Sequence, residues 1–351
     1  MPPRALGPRA RRSSQSHRRP DPRRRRVPGL PGAVFPGRGT GMRVAAIDVG
    51  TNSTRLLVAE AVGNGFRPID RRMTITRLGE GVDRTRALSD EALQRTFSTI
   101  AEYAAMCGEY GVERLKVTGT SAVRDARNRR LFFEGVRRLT GAEPHVLTGD
   151  LEARATFSGV ISDLPPGEPV VVVDIGGGST ELIVGGMEPE RLVSLDMGCV
   201  RLFEKHLASD PPAPAELDAL RDDVRKTLRG VREHLDVPRG SRLVGVAGTV
   251  TQLATLKAGV PVYDPDVTHH AVLTHGDVRL LAKRLESLPF EKRKRVRGLD
   301  PGRVDVIVAG AEILLVVMDA FDLPEVTVSE KDILDGIVLE LIGQSLDQTA
   351  E

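Results

Sequence analysis

The chain has no tryptophan, and aromatic residues make up only 3% of its 351 positions. Sequence-tolerant stacking on nucleic-acid bases is therefore a poor expectation, and nucleic acid is not an expected partner of the folded part. Only Cys107 and Cys199 occur, so there is no disulfide framework. Both thiols fit a reducing cytoplasm, and Cys107 continues the apolar face of a helix as a small core residue. No stretch is long and apolar enough to span a membrane. The basic head lacks the apolar segment of a secretory signal. A cytoplasmic location is expected. His269, His270 and His275 have neither a cysteine partner nor an HExxH frame, and adjacent histidines should point apart, so no zinc site is expected.

Charge is short in one sense and abundant in another. The formal net charge is only +2, but residues 1–41 hold eleven arginines, eight prolines and one aspartate. The remainder carries 39 lysines and arginines against 47 acidic residues, a net of −8. The head lacks apolar periodicity and is broken by proline, so it should not fold by itself. Met42 stands immediately before the first strand, which makes translated upstream sequence the favoured reading of 1–41. A genuine basic tail that meets anionic surfaces and a targeting segment are the alternatives. With 40% hydrophobic residues, the rest suits two α/β domains, 42–165 and 166–345, divided at Pro165-Pro166-Gly167.

What is present is a loop used twice. Val170 to Val173 run into Asp174, three glycines (Gly176, Gly177, Gly178), Ser179, Thr180 and a second apolar run. Val44 to Ile47 lead into Asp48, Gly50, Thr51, Asn52, Ser53, Thr54 and another apolar run. The shared plan is strand, Asp, x, Gly, small or polar residues, Thr, a charged residue, strand. Glycines let a backbone approach a ligand closely, and free N–H groups at a turn make an anion-binding concavity. An aspartate at the mouth would repel a bare phosphate, which suggests a bridging divalent cation. A plain hairpin would not need the aspartate both times. Two such loops suggest two similar lobes across a cleft, each offering one loop to a polyphosphate–metal complex.

Other segments add to this. Gly119 to Asn128 is a small polar loop that opens a helix, with Arg124 and Asn128 four apart on one face. Gly149 and Asp150 begin a helix that carries Glu152 in its first turn, at the edge of a sheet. Gly248 and Thr249, after the strand Leu243 to Val246, form a third small-residue loop at a helix N-terminus, a natural phosphate seat. Leu273 to Leu288 reads as one helix, Arg303 to Ala320 as a buried helix, and Asp332 to Ile342 as the closing helix, frayed from Gln344. Lys292, Arg293, Lys294, Arg295 and Arg297 form a basic cluster, read as a solvated face or as the far rim of a long anion track.

Taken together, AIDVGTNSTRLLVAE, TGTSAVRDARN, LTGDLEARATFSGV, VVVDIGGGSTEL, SLDMGCVRLFEKHL, VAGTVTQLATL and the stretch from GLDPGRVDVIVAGAEILL to SEKDILDGI resemble the exopolyphosphatase / guanosine pentaphosphate phosphatase family. The resemblance covers Met42 to about Ile342. It implies two ribonuclease-H-like lobes of the sugar kinase and actin type, with a cleft between them. It also implies a metal-dependent hydrolase, with Mg²⁺ or alternatively Mn²⁺, acting at phosphoanhydride ends. By position, the family's catalytic glutamate is Glu152, its arginine is Arg124, and its loop aspartates are Asp48 and Asp174, the expected metal ligands. The expected phosphate contacts are Gly50 to Ser53, Gly176 to Ser179, Gly248 and Thr249.

This chain departs from the family pattern at Leu151, where the family has a first glutamate. Near the end, Asp332 and Leu334 stand where the family has glycine and arginine. The longer members' HD-type domain has no counterpart, so the short two-domain form is expected. The expected substrate is inorganic polyphosphate. Guanosine pentaphosphate, a phosphotransferase reaction and a non-enzymatic sensor are the alternatives, and a homodimer would suit a long anion.

Overall fold

The computed structural model describes residues 41–63, 65–165 and 169–349. The head up to residue 40, Asn64 of the first turn, and Pro166 and Gly167 of the expected boundary lie outside the described residues.

The first half contains β1 (Arg43–Val49), β2 (Ser53–Val62), β3 (Gly65–Ile75), α1 (Val82–Thr85), α2 (Asp90–Glu109), β4 (Arg114–Gly119), α3 (Ser121–Asp125), α4 (Arg130–Thr140), β5 (Pro144–Val146) and α5 (Gly149–Ile161). The second half contains β6 (Val170–Ile175), β7 (Thr180–Gly185), β8 (Pro189–Leu195), α6 (Cys199–His206), α7 (Pro214–Arg229), α8 (Arg232–Leu235), β9 (Arg242–Val246), α9 (Ala247–Ala258), α10 (Pro265–Thr268), β10 (Val272–Thr274), α11 (His275–Glu286), α12 (Phe290–Arg293), α13 (Ile307–Phe321), β11 (Glu325–Val328) and α14 (Ile333–Thr349). One sheet runs β3-β2-β1-β4-β5 and the other β10-β11-β9-β6-β7-β8. In each, an antiparallel three-strand meander continues into parallel strands.

Both sheets are covered on both faces, which is why their central strands read as unbroken apolar runs. In β1 and β2, Ala45, Ile47, Val49, Leu56 and Val58 pack toward α2 and α4. Val44, Ala46, Leu57 and Ala59, on the other face, meet Ile333, Ile337 and Val338 of α14. In the second sheet, Val171, Val173 and Leu182 join the large core with α7, α11 and α13. Val170, Val172, Ile183 and Val244 meet Ala153, Phe157 and Val160 of α5.

Two helices therefore cross between the halves. α5 comes before the boundary in sequence but covers the second sheet, and α14 comes last but covers the first. Where they cross, a Cβ on Gly159 would lie 2.0 Å from the Asp332 carbonyl oxygen, and one on Gly336 would lie 1.9 Å from that of Ala155. Only glycine permits this approach of two backbones.

Three sequence expectations change. Thr274 caps α11 in a box with Asp277, so Val272–Thr274 becomes a strand rather than the start of a helix. α13 starts at Ile307 instead of Arg303, and the preceding turns leave Arg303 on the cavity wall. α14 continues to Thr349. Among the described residues, no helix is long and apolar enough to cross a membrane.

Candidate active site

The turns β1–β2 and β6–β7 face each other across a cavity of about 440 Å³. Its wall includes Asp48, Gly50 to Ser53, Glu152, Asp174 and Gly176 to Ser179, so the two repeated loops converge on one site. They nearly touch: a Cβ on Gly177 would lie 2.8 Å from Thr51 Cβ, and one on Gly178 would lie 2.2 Å from Ser121 Oγ.

Each loop is built the same way. Backbone N–H groups of Thr76, Arg77 and Gly79 donate to the carbonyls of Thr51 and Asn52 at 2.8–3.1 Å. On the other lobe, the N–H groups of Gly198, Cys199, Val200 and Arg201 donate to the carbonyls of Gly176, Gly177 and Gly178 at 2.9–3.2 Å. With the carbonyls held from behind, the amides of Thr51, Asn52, Gly177 and Gly178 donate to no protein group among the described residues. Thr51 Oγ1, Asn52 Nδ2 and Ser121 Oγ are buried and also lack partners. Buried donors are rarely left unpaired, so this cluster has the character of an anion cradle.

The carboxylates are not symmetric. Asp48 pairs in register with Arg55, and Asp174 with Glu181. Arg55 donates to Asp48 at 2.7 Å and Thr118 Oγ1 donates to its other oxygen at 3.0 Å. Among the described residues Asp174 accepts only from Thr156, at 3.2 Å. Burial, only partly offset by Arg55, pushes Asp174 up to about 6. Burial and the charge of Asp174 push Glu181 up to about 8, against hydrogen bonds from Ser194 and Ser179. Burial, and then the charges of Glu181, Asp48 and Asp174, hold Glu152 well above the ordinary carboxylate range, while Arg124 opposes this. The wall as a whole carries eight carboxylates against five guanidinium or ammonium groups. Such a wall repels a bare polyanion and favours one that arrives with divalent cations.

Glu152 sits in the first turn of α5 behind the Thr148 cap, and Arg124 Nη1 reaches its Oε2 at 3.3 Å and the Leu147 carbonyl at 3.0 Å. Arg124 thus joins the site through Glu152 and is not part of the cavity wall. Asn128 instead bridges Leu88 through both its backbone groups. Gly248 lines the cavity under the Arg303 guanidinium, which lies 1.8 Å from where its Cβ would be. Thr249 is turned away, with its hydroxyl 2.4 Å from the Cβ position of Gly310 in α13. Leu151 is 53% exposed, so the carboxylate missing there would have faced solvent. Asp332 takes Arg55 at 2.5 Å, and Leu334 lines the cavity. In the basic cluster Arg293 is buried on Asp210, while Lys292, Lys294, Arg295 and Arg297 are exposed.

Sequence reasoning missed Arg55, Glu181, Ser121 and Arg303. Arg55 and Glu181 were visible as the charged residue after each Thr, but only the strand register shows that each faces its loop aspartate. Cys199 also lines the cavity, and burial pushes its thiol up to about 11, which favours the neutral thiol at neutral pH.

The histidines behave otherwise than expected. His270 has φ 61°, which brings its ring onto that of His269 at 3.9 Å, and both rings face Asp163. Asp163, His269 and His270 place ligand atoms within 4.8 Å of one another, a candidate metal cluster at the rim. His269 Nδ1 accepts from the Glu330 amide at 3.1 Å, so its Nε2 carries the proton given to Asp163 at 2.8 Å. A metal on Nε2 would have to displace that proton.

A model of the Ppx/GppA phosphatase family matches residues 57–345. The chain belongs to that family. An "Exopolyphosphatase 2" of Mycobacterium tuberculosis is 39% identical over 316 residues, which cover 86% of this chain and 99% of that protein. The crystal structure of an exopolyphosphatase-like protein superposes with a TM-score of 0.84 at 32% identity, covering 88% of this chain and all of that one. The Aquifex aeolicus member of the Ppx/GppA family gives 0.74 at 34% identity over 87% of this chain and 98% of its own. The two-lobed α/β fold of this Ppx/GppA chain is thus the actin and sugar-kinase fold.

The raised carboxylates set a test. Glu181 binds a proton more tightly in the folded state, so metal-free stability falls as pH rises from its unfolded value of 4.5 through about 8. A cation bound among these groups would offset that loss. Thermal unfolding should show a larger Mg²⁺-induced rise at pH 8 than at pH 6. At a hundredfold excess over Kd the gain is about 2.7 kcal/mol. Equal shifts at both pH values would contradict a cation at this cluster.

Proposed function

We propose that this cleft hydrolyses the terminal phosphoanhydride of inorganic polyphosphate, releasing orthophosphate. The observation that carries the reading is the set of buried, unpaired donors on two facing loops, beside a buried glutamate. The family and its exopolyphosphatase-named member support it.

The terminal phosphoryl group would sit between the loops, taking hydrogen bonds from the amides and side chains of Thr51, Asn52, Gly177, Gly178 and Ser121. Arg303, over Gly248, would meet the next unit. Glu152 would take the proton of the attacking water at about 2.6–3.2 Å. The water oxygen bonds to the terminal phosphorus as the bridging P–O bond breaks, and the electron pair leaves with the chain shortened by one unit. Arg124, pinned by the Leu147 carbonyl, would hold Glu152 in place and favour its ionised form.

The donor set is oxygen-rich and buried, which fits Mg²⁺. Asp174 would hold it, since one oxygen of Asp174 has no protein partner among the described residues, whereas both oxygens of Asp48 are taken by Arg55 and Thr118. A Mg²⁺ ion held there would supply positive charge against the phosphoryl oxygens and would lower the pKa values of the neighbouring carboxylates.

Phosphate release should be measured with Mg²⁺ on short polyphosphate, long polyphosphate and guanosine pentaphosphate side by side. Release from polyphosphate is expected. Release only from the pentaphosphate would transfer the reading to that substrate, and no release from any would sink it.

A further inference from the structure

On the far side of the loops from the cavity, one arginine joins the two lobes. Arg201, in the first turn of α6, is only 11% exposed. Its Nε donates to the Gly178 carbonyl at 2.8 Å, so it holds the second glycine loop directly. Its Nη2 donates to Asp125 at 2.6 Å, and its Nη1 pairs with Asp83. Both aspartates belong to the first lobe, on α3 and α1. Three residues on, Glu204 accepts the Gly81 amide of the first lobe at 3.0 Å. Thr51, Ser121, Gly178 and Arg201 border one narrow recess, so the guanidinium lies directly behind the meeting loops.

The placement of Asp125 gives this contact its meaning. The short helix α3 carries Ser121, with its unpaired hydroxyl at the cradle, and Arg124, on Glu152. Asp125 is the next residue. Arg201 therefore ties the loop that would hold the terminal phosphoryl group to the helix that positions the base. A planar guanidinium has five donors in a fixed fork and can serve a carbonyl and two carboxylates at once, which a lysine cannot.

We propose that Arg201 is a positioning residue: it clasps the lobes together and sets the spacing between the Gly178 loop and the Ser121–Arg124 face of α3. Lobe closure makes the Asp83 and Asp125 pairs, and the Nε contact transmits that closure to the loop. The inference rests on the reading of the cleft as a phosphoryl-hydrolysing site.

The test compares Arg201→Gln, Arg201→Lys and Asp125→Asn with the parent protein. Spin labels on Leu131→Cys and Leu280→Cys, both exposed and on different lobes, report the lobe separation, since both native cysteines are buried. For Arg201→Gln, kcat on polyphosphate should fall by about 10²-fold, the usual result of displacing reacting groups by about 1 Å, while KM moves far less. The label distances should lengthen and broaden. Arg201→Lys should recover part of both, and Asp125→Asn should lose part of both. An unchanged distance distribution in Arg201→Gln overturns the clasp, whether or not kcat falls. If the parent releases no phosphate from any substrate, the functional reading fails, and the label distances still decide the clasp.

Discussion

Replacing Glu152 by glutamine lowers turnover of polyphosphate by 10²-fold or more and leaves the protein at least as stable as before. The first half follows from the general-base role, which contributes about 10²–10⁴-fold. A glutamine matches the shape of the glutamate and can still accept from Arg124, but it cannot take a proton. A hundredfold loss corresponds to about 2.7 kcal/mol of transition-state stabilisation.

The second half follows from the environment. Glu152 is 9% exposed and lies among Glu181, Asp48 and Asp174, and its pKa is raised, first by burial and then by those charges. A carboxyl whose pKa is higher folded than unfolded destabilises the fold at every pH above its unfolded value. A neutral amide removes that effect, so the melting temperature at pH 8 should rise or hold. Steady-state kinetics together with thermal unfolding separate the two effects. Normal turnover would remove Glu152 from catalysis. Lost turnover with a large fall in melting temperature would make it a structural residue.

The two lobes and their loops were legible in the sequence because each loop is local. Asp48 to Thr54 and Asp174 to Thr180 each contain their own strand ends, turn and glycines, so their spacing could be read along the chain. The crossing of α5 and α14 was not legible. Unbroken apolar runs show that a strand is covered on both faces, but they do not say which helix covers it. Val44 and Ala46 meet a helix nearly three hundred residues later. Arg303 was hidden because an apolar run from Val304 continues its segment into α13, and only the delayed helix start places it on the cavity wall. The stacked histidines needed a left-handed residue at His270, which adjacent identity does not foretell.

The division of labour between Asp48 and Asp174 was also out of reach. Their motifs are near copies, and the difference lies in the cross-strand partner, arginine in one lobe and glutamate in the other. In the first lobe the aspartate is neutralised by Arg55 and held still by Thr118. In the second, Asp174 and Glu181 repel each other and keep a demand for positive charge. A duplicated loop thus yields one aspartate paired with an arginine and one set opposite a glutamate.

Substituting Gly198, which is not itself part of the cavity wall, by alanine abolishes most of the turnover. Gly198 is the N-cap of α6, and its amide donates to the Gly178 carbonyl. Its φ is −87°, so backbone strain is not the reason for glycine here. A Cβ would lie 2.3 Å from the carbonyl carbon and oxygen of Gly177 and 2.4 Å from the amide nitrogen of Gly178. These are backbone atoms, and no rotamer change can move them aside. The loop must shift outward or α6 must retreat, and either disturbs the amides that form the cradle.

Overpacking of this kind typically costs 1–3 kcal/mol of stability. The kinetic loss should be larger, about 10²-fold, because a displacement of about 1 Å at reacting groups has that effect. Gly186→Ala is the matched control, since a Cβ there meets nothing within 4 Å. Gly198→Ala should lose turnover and some melting temperature, and Gly186→Ala should keep its turnover. If Gly198→Ala keeps full turnover, the glycine loop is not the rigid phosphoryl seat that the α6 contacts make it.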